Sequence, residues 1–151
     1  MTELHDVSLV DFPVARYLQM QEHHDALLRE FALIATDSGN SSAPGDLLRL
    51  ANEMFDRYGD AAGPFRDGVA AAADSGEVIT TLNLSIPYTT LRWTEDFLLL
   101  FEEADEYAAR GDLLTEPAPV EVTEFRRWMV GELIRQIRDG ATPSPYWAES
   151  I

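Results

Sequence analysis

Three stretches of this sequence each run for twenty-one or more residues between a proline and a helix-stopping signal, and that punctuation constrains the fold most. Pro13 to Thr36 ends in the polar run TDSGNSSAPG; Pro87 or Tyr88 to Arg110 ends at Gly111; Pro119 to Asp139 ends at Gly140. Proline suits the first turn of a helix, where its missing N–H costs nothing, and glycine suits the left-handed residue that closes one. Asp11 is placed to cap the first helix. At 1.5 Å per residue these helices span roughly 31–36 Å each, and matched lengths joined by short loops predict antiparallel packing. A further helix is expected from about Pro44 to Tyr58, and a short one from Pro64 to Asp74 before Gly76. The expected fold is therefore mainly α: an antiparallel bundle of four longer helices plus one short helix, forming a single domain over 1–151 with an extended tail over 141–151.

One segment does not fit a bundle. In EVITTLNLSIP, Val78, Thr80, Leu82, Leu84 and Ile86 fall on one face, and Ile79, Thr81, Asn83 and Ser85 on the other. That is strand periodicity, so a short extended or β segment is expected near 78–86. A lone strand leaves its backbone groups unpaired. Its partner would be DVSLVDF near the N-terminus or its own copy in a second chain; otherwise the segment is a linker packed over the bundle.

Composition narrows the function classes. With 27 acidic residues against 11 basic ones, all of them Arg, the net charge of −16 repels phosphate backbones, which argues against nucleic acid as a partner. The absence of cysteine excludes disulfides and thiolate metal sites. The start MTELHDVSLV lacks a basic region ahead of an apolar run, and no apolar run approaches the ~20 residues that span a bilayer, so a cytoplasmic chain without membrane association is expected. There is no Gly-rich phosphate loop, no G-x-S-x-G and no H-E-x-x-H, so no catalytic residues, cofactor or metal ligands are assigned.

Two places carry unusual residues. In EHHDALLREF, a helical wheel puts His24 near the centre of an apolar stripe made by Tyr17, Met20, Leu27, Leu28, Phe31, Ile34 and Ala35. His23 falls at the stripe's edge, so His24 is expected to be buried and His23 more exposed. A buried imidazole needs a hydrogen-bond partner. A diiron bundle would need Glu-x-x-His on two helices, but the residue three before His24 is Gln21 and no second motif exists. In the last helix Arg126 falls inside the stripe of Val122, Phe125, Met129, Leu133 and Ile137. A buried guanidinium requires a carboxylate or several carbonyls. The preceding helix offers Asp105 at the edge of its own stripe of Trp93, Phe97, Leu100, Phe101, Ala104 and Ala108, with Asp112 as the second choice. The opposite face of the last helix carries Arg127, Trp128, Gly131, Arg135 and Arg138. Trp and Arg are enriched where proteins meet, so this face is the candidate surface for a protein partner or a homodimer. Its arginines also complement the helix dipole, and Tyr146 or Trp147 of the tail can cover Trp128, which is the simpler reading.

The segments VSLVDFPV, EHHDALLREFALIA, EADEYAARGDLLT and EFRRWMVGELIRQIRDG together resemble a small uncharacterised family of actinobacterial proteins, over most of the chain except 38–76. Members of that family are encoded beside anti-sigma ATP-binding proteins, STAS-domain antagonists and their phosphatases. The resemblance implies a non-enzymatic interaction or regulatory module in partner-switching stress signalling and transfers no catalytic residues. The alternative is a small-molecule- or metal-binding bundle, enzymes included, with a pocket near His24.

Overall fold

A computed structural model describes residues 3–36 and 65–146, together with Arg49, Asn52, Glu53 and Gly63. It is mainly helical, with one two-stranded antiparallel sheet. Strand β1 (Leu4–Pro13) leads into helix α1 (Val14–Thr36). A helical stretch, α2, covers 65–74. Strand β2 (Ile79–Pro87), helix α3 (Tyr88–Ala109) and helix α4 (Val120–Arg138) follow. Of the helix expected over Pro44–Tyr58, only Arg49, Asn52 and Glu53 are described, and all three are helical; the rest lies outside the described residues. No helix among the described residues is long and apolar enough to cross a membrane.

The alternating segment is a strand, and its partner is the N-terminal one. Val7 faces Leu84 and Leu9 faces Leu82. The register then slips by one residue between Leu9 and Phe12, where Asp11 adopts a φ of 55°. An extra residue in one strand flips the side-chain parity, so Phe12 points inward with Val7 and Leu9 although it breaks their odd-numbered pattern. Aspartate tolerates this left-handed backbone better than most residues. Asp11 is therefore the bulge of a strand and not a helix cap, and the strand continues through Pro13. The inward face of Val7, Leu9, Phe12, Leu82, Leu84 and Ile86 is buried.

The outer edge of β1 is closed by side chain and tail. Gln136 on α4 accepts from the Ser8 N–H (3.0 Å) and donates to its carbonyl (2.9 Å), and the Tyr146 N–H donates to the Val10 carbonyl (3.0 Å). The tail carries no helix or strand over 141–146; 147–151 lie outside the described residues.

Helix ends follow the punctuation. After α3, Gly111 takes a φ of 83°, and the N–H of Asp112 reaches back to the Tyr107 carbonyl at 3.0 Å, a closure that needs the left-handed residue. The loop to α4 hangs on α1: the Glu30 carboxylate accepts from the backbone N–H of Leu114 (2.6 Å) and Thr115 (2.7 Å). Gly68 lets α2 approach β2, since a Cβ there would stand 3.0 Å from Leu82 Cδ2.

Two buried apolar clusters result. One joins the sheet to the start of α1, to α2 and to α4; the other joins Leu27 and Phe31 of α1 to Phe97, Leu100, Phe101 and Ala104 of α3. Trp93, expected inside the α3 stripe, is turned outward, and Leu91 and Thr94 are buried in its place. The strand that enters α3 sets its rotation, which a wheel of α3 alone does not include.

Candidate functional site

The candidate site lies at the seam between the two clusters, where α1 contributes two polar groups and α3 and α4 one each. His24 is 3% exposed and Arg126 2% exposed. The Asp105 side chain is 16% exposed and faces them from α3.

The groups form one chain of hydrogen bonds. Arg126 Nε donates to His24 Nε2 at 3.1 Å, and Arg126 Nη1 donates to Asp105 Oδ2 at 3.1 Å. Asp105 Oδ1 meets His23 Nε2 at 2.8 Å and accepts the Ala118 N–H at 3.2 Å. His23 is more exposed than His24, as the stripe predicts, and its half-buried position at the stripe's edge lets it reach the carboxylate on α3. The His24 ring stacks on Phe101, with centroids 3.6 Å apart and planes 5° apart, and the Arg126 guanidinium carbon sits 5.5 Å from the same ring's centroid.

Electrostatics fix the protonation of this chain. Burial, then the positive charge of Arg126, then His23 and Arg66, hold the His24 pKa well below its ordinary value. His24 is therefore neutral. Because its Nε2 accepts from a guanidinium that cannot lose its proton, the imidazole proton resides on Nδ1. Burial alone would raise the Asp105 carboxyl, but the His23 hydrogen bond and the Arg126 charge outweigh it and lower the pKa. Asp105 is ionised and balances Arg126.

This arrangement predicts a pH dependence. With the folded pKa of His24 depressed, the unfolded chain takes up a proton below pH ~6.5 that the folded chain refuses. Stability is full above that pH and falls as pH drops, by up to ~1.4 kcal/mol per unit. Asp105, also depressed, adds a second loss below pH ~4. Between pH 7.5 and pH 5, urea unfolding is expected to show a larger loss of stability for the native chain than for His24→Gln. Equal losses in the two would place a charged His24 in the fold.

A cavity of about 60 Å³ opens beside this chain. His24, Phe101 and Arg126 line it, with Met20 from α1, Phe65 from α2 and Met129 from α4. At ~15 Å³ per water-sized body it has room for about four, or for a ligand of a few heavy atoms. Its wall is mostly apolar. Arg126 is one of the few polar residues of that wall, and its Nη2 is buried with no hydrogen-bond partner among the described residues. No group of three His, Asp or Glu side chains among the described residues is arranged to hold a metal ion.

The other face of α4 is paired within the chain. Arg127 Nε donates to Glu102 at 2.7 Å; Arg138 pairs with Glu95, and Arg135 with Glu132. Trp128 is half-buried, packed against Phe125 and against Tyr146 of the tail, whose ring is 5.0 Å away. Gly131 has open space where a Cβ would stand. Glu132 is the buried group that sequence reasoning does not find. It lies off the apolar stripe, yet it is buried because the tail crosses it: its Oε1 accepts from the Ser144 N–H (2.8 Å) and from Gln136 Nε2 (3.1 Å). The two prolines of the tail and the aromatic Tyr146 are the sequence signals that this face is covered.

In comparisons with known proteins, no family model, curated protein or solved structure matches the chain.

Proposed function

We propose that the chain is a binding module for a small, mainly apolar molecule held in the cavity beside His24 and Arg126. The observation that supports this reading is the cavity itself, open at the seam of two otherwise closed apolar clusters and next to a buried cation. Its lining matches ligand pockets in kind: an apolar wall with a few fixed polar groups. 2-Methylpropene, a probe of four heavy atoms, titrated against protein carrying ¹³C-labelled methionine methyls is the test. Met20 and Met129 are expected to shift saturably, and Leu98→Trp, at a half-buried position of the lining, is expected to abolish the shifts. Unmoved Met20 and Met129 methyls in the native chain would overturn the reading.

A second reading is the interaction module implied by the resemblance, in partner-switching signalling, with a protein partner or a second copy on the Arg127, Trp128, Arg135 and Arg138 face. Its support is the exposure of the Arg127 side chain, 61% despite its ion pair. Arg127→Glu would then weaken association in light scattering and pull-down without changing the 2-methylpropene response.

A further inference from the structure

The chemistry around Arg126 narrows the ligand class, on the reading that the cavity binds a small molecule. Three guanidinium nitrogens meet three different situations. Nε is engaged by His24, Nη1 by Asp105, and Nη2 by nothing among the described residues. A buried N–H without an acceptor costs ~1–3 kcal/mol, so a bound acceptor oxygen would recover that penalty. The charge, by contrast, is already met. Asp105 balances Arg126 at 3.1 Å, and the chain around them carries −16 overall. A second anion in this apolar wall would be desolvated without a cation left to balance it, and it would approach against a repulsive field. What the site lacks is an acceptor and not a negative charge.

We propose that the ligand is an uncharged molecule with an apolar body and one hydrogen-bond-accepting oxygen, and that this oxygen takes the N–H of Arg126 Nη2. The apolar body lies against Phe101, Met20 and Met129, and the oxygen sits at the polar end marked by Arg126.

Three isosteric probes separate the possibilities: butan-2-one, 2-methylbut-1-ene, which replaces the carbonyl oxygen with CH₂, and propanoate, which replaces a methyl with a charged oxygen. Each is titrated against the full chain, reading the Met20 and Met129 methyls together with the Arg126 guanidinium ¹⁵N resonances. The expected result is that the ketone binds at least tenfold more tightly than either other probe and is the one that moves Arg126 Nη2. Tighter binding of propanoate overturns the proposal in favour of an anion site. Equal binding of ketone and alkene, with Arg126 unmoved, overturns it by showing that the N–H plays no part. In both of those outcomes the cavity still binds, so the reading of a small-molecule module survives. Silence of the methionine methyls with all three probes ends that reading and this proposal together.

Discussion

Asp105→Ala is expected to destabilise the fold by about 3–5 kcal/mol, the range for leaving one member of a buried ion pair uncompensated. Arg126 is 2% exposed and cannot deprotonate, so loss of the carboxylate leaves a full charge in the core with only the neutral His24 as partner. The same change removes the acceptor of the Ala118 N–H and of His23, which releases the loop before α4 from α3. A second substitution separates charge from packing. Asp105→Ala combined with Arg126→Met removes both charges and is expected to recover much of the loss, because replacing a buried ion pair by hydrophobic groups is often near neutral. Urea denaturation of the two variants measures this. A loss below 1 kcal/mol for the single variant would mean that Arg126 reaches solvent.

Phe101→Ala is the second large effect, about 3–5 kcal/mol. Phe101 is 1% exposed and holds the site from below, stacked on His24 and within 5.5 Å of the Arg126 guanidinium carbon. Its loss removes buried apolar area and enlarges the cavity it lines. That enlargement gives the prediction a second arm. A ligand that binds only the folded state stabilises it by about 2.7 kcal/mol at a hundred times its Kd, so a small aromatic molecule is expected to restore part of the midpoint in this variant. Destabilisation with no response to aromatic ligands would mean that the core collapses into the space.

The helix ends are legible in the sequence because proline and glycine act locally. Pro87, Gly111, Pro119 and Gly140 act on the residues beside them, and no tertiary contact overrides them here. The Arg126–Asp105 pair is legible for a related reason: each residue stands at or near the inward stripe of one of two consecutive helices, and a buried guanidinium has few solutions. Strand β1 is harder to read because its pattern is interrupted. Val7 and Leu9 alternate, then the bulge at Asp11 reverses parity, and the Asp-x-Pro that follows looks like a helix start. Tyr146 in the tail is an aromatic that can cover Trp128, and it does so, but Glu132 is not legible from α4, because the tail backbone that covers it has no periodicity of its own. A polar His24 inside an apolar stripe marks where a pocket can lie, but the volume of the cavity has no sequence signature. It arises where side chains of α1, α2, α3 and α4 fail to fill the seam between two clusters, and such a volume depends on shapes in three dimensions.

An apolar cavity stands open beside His24 and Arg126 in the folded chain. Crystals pressurised with xenon test this, because xenon enters dry apolar voids. A xenon atom is expected, bounded by Met20, Phe101 and Met129, with the Arg126 contacts to His24 and Asp105 intact. A structure with no xenon at the seam, and with those side chains closed over it, would mean that no such cavity exists in the folded chain.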